Sequence, residues 1–205
     1  MELDHVLIAV ADLNAAGLEI EERYGLTSVE GGHHPAWGTA NRIVPLGDSY
    51  LELIAVVDTD KASQSPIGRW VASAADSSLR PLGWAVRTSE LDAVAVRLGL
   101  TIHAGSRRTP DGGELRWRSA GLDQAAAEPS LPFFIEWGLE TQHPGRAEIH
   151  HAAGSAKIAS LALRADAGRL ARWLGEHHLP IVVSQGKAAV TAIYIAVDGG
   201  EIIFS

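Results

Sequence analysis

Two glutamates in apolar segments, three histidine pairs and a cluster of arginines are the side chains with the most chemistry to offer. Glu52 stands between Leu51 and Leu53, and Glu136 between Ile135 and Trp137. Burying a lone carboxylate is costly, so each needs a cation, a hydrogen-bond donor or a proton. His33 and His34 precede Pro35 and Gly38 in what reads as a loop before a strand. His34 can serve there as a metal ligand or a general base, because imidazole titrates near neutrality. It can equally belong to a His-Pro turn whose ring bonds a backbone carbonyl. Arg107 and Arg108, with Arg116 and Arg118 beyond, can clamp a carboxylate or phosphate, which the guanidinium fork matches. The alternative is a solvated strand face, with Trp117 turned into the core by alternation. His150-His151 reads as exposed in a Gly/Ala/His-rich stretch, and His177-His178 as a dipole-favourable helix end. No GxSxG elbow, Walker loop or GxGxxG after a strand occurs, and Gly31-Gly32 and Gly199-Gly200 read as turns.

Composition narrows the classes. The chain has 205 residues, enough for one large domain or two small ones, and is 46% hydrophobic, which suits a sizeable core. It has no cysteine, so disulfides, thiolate metal sites and a cysteine nucleophile are ruled out. A formal charge of −8 argues against nucleic acid, whose binding rests on clustered Lys and Arg. No apolar run approaches the ~20 residues of a membrane helix. The segment Met1-Glu2-Leu3-Asp4-His5 enters strand pattern at once, so no signal peptide and a cytoplasmic location are expected.

The elements that must position these residues recur. Residues 3–10 read as a buried strand; Asp12 caps a helix carrying Leu13, Ala16, Ile20 and Tyr24, and Gly25 stops it. Strands follow at 27–30, 41–46 and 50–56, the last two joined by Gly47-Asp48-Ser49. The order returns with a strand at 82–88, a helix from Ser89 or Glu90 to Leu98, and strands at 101–104, 114–119 and 133–137. A third round has a strand at 158–164, a helix capped by Asp166, and strands at 181–184, 189–197 and 201–204. A short helix around Trp70 lies within 63–78, and 144–156 is the linker.

The fold class expected is therefore α+β: repeated βαβββ modules in curved, mostly antiparallel sheets with helices on the outer face. Modules 1–60 and 80–140 pair within residues 1–145 into a cup, because one module cannot bury its own sheet face. Asn41 and Tyr50 would line that cup. The third module, 156–205, has no evident partner in the chain, and its helix presents Leu170, Trp173, Leu174 and His177 on one side. A homodimer is the expectation.

Particular stretches go further. They are Leu3-Asp4-His5-Val6; His34-Pro35 followed by Gly38-Thr39 and Asn41; and Tyr50-Leu51-Glu52-Leu53-Ile54. In the second module they are Ser106-Arg107-Arg108 with Pro110-Asp111-Gly112, and Leu131-Pro132-Phe133-Phe134-Ile135-Glu136-Trp137-Gly138 with His143-Pro144 beyond. Together these resemble the glyoxalase-like domain proteins of the vicinal oxygen chelate superfamily, over roughly the first 145 residues. The resemblance implies metal ligands on the first and last strands of each paired module. Carried over, these are His5, Glu52 and Glu136, holding a divalent ion of the Mn, Fe, Ni or Zn type. The fourth position falls on Gly83 or Trp84, and the third module offers Ala159 there; none can bind a metal.

Two functional classes follow. One is a metal-dependent lyase, isomerase or dioxygenase acting on a small oxygen-rich or anionic metabolite, with Glu136 or His34 moving the proton and Asn41, Tyr50, Arg107 and Arg108 binding the ligand. The other is a metal-free cup that binds or sequesters a small molecule without chemistry, walled by some of the six tryptophans.

Overall fold

The computed structural model describes residues 1–75, 79–108 and 113–205. The side chain of Arg108 and the stretch Pro110-Asp111-Gly112 lie outside that description. The first module is β1 (Glu2–Ala9), α1 (Leu13–Tyr24), β2 (Val29–His34), β3 (Thr39–Pro45) and β4 (Tyr50–Val56). Two short helices follow, α2 (Thr59–Gln64) and α3 (Pro66–Ala74), divided at Ser65, whose hydroxyl accepts the Gly68 N–H ahead of Pro66. The second module is β5 (Pro81–Arg87), α4 (Leu91–Leu98), β6 (Ile102–Arg108), β7 (Glu114–Ala120), α5 (Leu122–Ala127) and β8 (Phe133–Trp137). The third is β9 (Ala156–Arg164), α6 (Ala167–Leu174), β10 (Ile181–Ser184), β11 (Ala189–Val197) and β12 (Gly200–Phe204).

The expected caps form for local reasons. Asp12 accepts from the Asn14 and Ala15 N–H groups at 2.8 Å each, and Gly25 closes α1 at φ 64°, a conformation that favours glycine. Asp166 accepts from Arg169 N at 2.7 Å to start α6. Glu90 sits at the start of α4 without capping it through its side chain.

The first two modules build one eight-stranded sheet in the order β2-β3-β4-β1-β5-β8-β7-β6. β1 and β5 run antiparallel at its centre, each parallel to its module's last strand and the other neighbours antiparallel. β1, β4 and β5 read as continuous apolar runs because both faces of this sheet are covered. On one face Val6, Trp84, Val86 and Phe134 share a core with α1 and α4. On the other, α3 and α5 fill the base of the concavity, with Trp70 and Ala125 packed among Leu7, Ile54, Ala85 and Phe133.

The third module keeps the element order but not the sheet order. Its sheet runs β10-β9-β11-β12, with β9 parallel to β10 and antiparallel to β11. Leu161, Ile193, Phe204 and Trp173 enter the same core as Trp84 and Phe134. Trp173 Nε1 donates to Pro132 O at 2.8 Å, and Arg97 of α4 donates to the carbonyls of Arg172 and Trp173 at the end of α6. One apolar face of the third module thus docks on the paired sheet within the chain. Val182 and Ile203 remain exposed on this module.

Candidate functional site

The strand faces that point into the cup bring His5, Asn41, Tyr50, Glu52, His34 and Arg107 around one small chamber of about 50 Å³. That is room for a few water-sized groups. His33 and His34 end β2 rather than lying in a loop; the turn is the stretch that follows, with Gly38 at φ 67°. Gly31 and Gly32 are in β2 too, where the ladder slips between Glu30 and His33. A Cβ on Gly31 would fall 2.0 Å from Asn41 Oδ1, and one on Gly32 2.6 Å from Arg107 Cδ. The two glycines are what lets both side chains cross this edge.

Behind the chamber lies a buried ionic line that begins at Asp4. β1 and β5 slip register between Leu3 and His5, and the bulge lets Asp4 and His5 meet although they are adjacent in sequence. Asp4 is fully buried and accepts from His5 Nδ1 at 2.6 Å, Trp137 Nε1 at 2.9 Å and His143 Nε2 at 3.0 Å. Burial opposes its ionisation, but the hydrogen bonds from His143 and His5 outweigh it and hold the carboxyl below the usual carboxylate range. His5 stacks on Tyr50 at 4.6 Å and turns Nε2 towards Glu52 Oε2, 3.4 Å away. Because Asp4 takes the Nδ1 proton, Nε2 can donate to Glu52 only when the ring carries both protons. Glu52 Oε1 accepts from Asn41 Nδ2 at 2.5 Å, and Asn41 Oδ1 accepts from Gly32 N at 2.7 Å. Burial pushes the Tyr50 phenol up, aided by the Asp4 and Glu52 charges, so it stays protonated.

Two cup residues face this line. Burial lowers the His34 imidazole, with Arg107 adding to the effect against Glu52, so the ring is neutral at neutral pH. Its Nδ1 lies 3.2 Å from Thr39 Oγ1 and its ring 5.0 Å from that of Trp37. Arg107 Nη1 donates to Gly31 O at 3.0 Å, bridging the two edge strands β2 and β6 across the mouth. It is half-buried, and among the described residues no carboxylate lies within salt-bridge distance of it.

Glu136 is not part of this group. Aligning the starts of α1 and α4 sets His5 against Gly83 and Leu7 against Ala85. Leu7 pairs with Glu52 and Ala85 with Phe133, so register makes Phe133 the counterpart of Glu52. Glu136 lies on the opposite strand face, where Arg118 holds its carboxylate at 2.8 Å and also binds Asp92 of α4. That satisfies the need for a cation without the chamber. Gly83 is filled by its neighbour, since a Cβ there would lie 2.4 Å from the Trp70 ring. Gly83→His is therefore expected to cost about 1–3 kcal/mol in overpacking, read as a lower urea midpoint. An unchanged midpoint would show that Trp70 has room to move.

Of the three ligands implied by the resemblance, two face the chamber, His5 and Glu52; the His34 ring, which also lines it, has its Nδ1 beside Thr39 Oγ1. Among the described residues no group of three or more His, Asp or Glu side chains converges to hold an ion. First-row ions take three or four protein ligands, and the Arg107 charge on the same wall opposes a cation further. The donor set does not fit. Protein purified without a histidine tag and incubated with Zn²⁺, Mn²⁺ or Ni²⁺ is expected to keep only a small fraction of an ion per chain after desalting. Stoichiometric retention would overturn this.

Other histidines also differ from their sequence reading. His151 is buried, accepting from Thr27 N at 2.9 Å and donating to Pro45 O at 2.7 Å, so it tacks the linker to the cup. His177 lies beyond α6, which ends at Leu174, and accepts from Leu179 N. Asp4, Trp137 and His143 were not singled out as site residues. The available signal was an aspartate inside the buried run that opens the chain, which demands partners as Glu52 does.

Comparison with known proteins agrees with this architecture. The sequence matches the family described as a glyoxalase-like domain over residues 3–178, through the linker and into the third module. No curated protein matches it significantly. Among solved structures, a hypothetical protein from Staphylococcus aureus is similar with a TM-score of 0.70 at 15% identity, covering 100% of this chain and 98% of that one. Methylmalonyl-CoA epimerase from Mycobacterium tuberculosis is 24% identical with a TM-score of 0.45, covering 66% of this chain and 85% of that one. The Streptomyces coelicolor epimerase, in complex with 2-nitronate-propionyl-CoA, is 21% identical with a TM-score of 0.46, covering 66% and 94%. No helix among the described residues is long and apolar enough to cross a membrane. With the family match running across most of the sequence, the chain belongs to the glyoxalase-like domain family.

Proposed function

We propose that the cup binds a small, oxygen-rich acid and removes a proton from the carbon beside its carbonyl, with Glu52 as the base. The observation that carries this reading is Arg107, a half-buried guanidinium on the wall of the chamber that holds Glu52, with no carboxylate within salt-bridge distance among the described residues. Arg107 takes the anionic group of the ligand and sets its neighbouring carbon near Glu52 Oε2. Asn41 fixes the other carboxylate oxygen, so the base cannot swing away. His5, oriented by Asp4, can relay the proton onwards from Glu52. His34, neutral and across the chamber, supplies a second site for proton return. Isomerases and lyases acting beside a carbonyl share this first step.

The test is hydrogen exchange. Short 2-oxo acids such as 2-oxobutanoate, incubated with the protein in D₂O, should exchange their C3 hydrogens faster than without it, as followed by proton NMR. Binding without exchange would leave the second reading, sequestration without chemistry, which draws on Trp37, Trp117 and Trp137 as aromatic walls of the chamber.

A further inference from the structure

Beyond the small chamber the cup opens into a much larger cavity of about 740 Å³. The two spaces share walls: His34, Trp37, Ile67, Trp117, Ser119 and Leu122 line both, and so form a neck between them. The outer space is also lined by the polar residues His33, His103, Ser106, Asp123 and Gln124. Trp117 is held in place by design of its neighbours. It pairs across the ladder with Gly105, where a Cβ would lie 2.4 Å from the indole, so the ring lies over bare backbone. Trp137 stands beside it at 5.9 Å.

We infer that the ligand is a head-and-tail molecule: a small acid head in the inner chamber and a ring-sized, planar tail in the outer cavity, admitted past Trp37 and Trp117. The inference rests on the acid-binding reading above and adds the class of the tail. The inner chamber holds only a few water-sized groups, so a ligand confined to it would leave the outer cavity unused. Two indoles and the neutral His34 ring, with Ile67 and Leu122 beside them, favour a flat group over a flexible one, because ring faces gain most from offset or edge-on contact with another ring. The polar residues of the outer space suit a substituent on that ring.

Calorimetric titration of the full chain with 2-oxobutanoate and with 2-oxo-4-phenylbutanoate separates head from tail. The ring acid is expected to bind at least about tenfold more tightly. Trp117→Ala should narrow that ratio to within about twofold, and Trp37→Ala, placed on a turn and less exposed to folding defects, should narrow it in the same direction. Both acids binding the wild-type chain equally would overturn the tail while leaving the acid head in place. A ratio that survives in both variants would overturn the neck. Failure of both acids to bind would refute the acid head, and with it the proposed function.

Discussion

In the Glu52→Gln protein, enzyme-dependent exchange of the C3 hydrogens of 2-oxobutanoate is expected to fall by at least about 100-fold, the usual scale for losing a positioned base. The substitution is nearly isosteric, and its environment accepts it. The glutamine carbonyl can keep the bond from Asn41 Nδ2, and its amide can donate to His5 Nε2 where the carboxylate had to receive. The fold should therefore persist, and the acid should still bind, since Arg107 is untouched and a like charge has been removed from beside the ligand. Glu136→Gln is the matched control. It removes a carboxylate from the last strand of the second module that pairs with Arg118 on the far face of the sheet, and exchange should stay at the wild-type rate. Equal losses in the two variants would point to a general structural effect. Retained exchange in Glu52→Gln would move the base elsewhere, with His34 as the next candidate.

The second large effect is on stability. Asp4→Ala is expected to destabilise the chain by about 3–5 kcal/mol, the range for breaking a buried ionic contact by removing one partner. His143 Nε2, Trp137 Nε1 and His5 Nδ1 would all lose their acceptor in a region closed to water. The melting temperature should drop by roughly 10 °C for a chain of this size. The pH dependence has a definite sign. The carboxyl titrates lower in the folded chain than the ordinary value near 4, so its contribution is fully present at neutral pH. It begins to fade as the pH falls below about 4 and is lost as the pH passes down through the folded value. The gap between wild type and Asp4→Ala, measured by urea midpoints, should accordingly hold down to about pH 4 and narrow progressively below that. A gap under about 1 kcal/mol at neutral pH would mean that the three donors find other partners.

Element order was legible in the sequence because it depends on local chemistry. Apolar runs the length of strands, Asp12 and Asp166 at helix starts and Gly25 at a helix end act within a few residues, and each formed as read. His5, Asn41, Tyr50 and Glu52 face the cup for a similar reason, since alternation along a strand fixes which face a side chain takes once the strand is known. His34 and Arg107 lie outside the strands the sequence suggests, and only the longer β2 and β6 bring them to the chamber. Glu136 shows where that reasoning stops. Its neighbours Ile135 and Trp137 marked it as a carboxylate in need of a partner, but only register decides whether the partner lies inside the cup. The ladder β5–β8 puts Phe133 in the place of Glu52 and sends Glu136 to Arg118.

The same holds for what the sequence left invisible. Asp4 reaches His5 through a bulge, a one-residue slip between β1 and β5 that neither strand announces. His143 and Trp137 reach Asp4 across more than a hundred positions. The third module repeats the order of elements, yet its first strand takes different neighbours, and its apolar side closes on α4 and the outer face of the paired sheet. Periodicity and capping determined which segments are strands and helices and which faces are apolar. Pairing partners, register and the docking of one sheet on another were decided by tertiary packing, because those depend on which of several apolar faces fit together best.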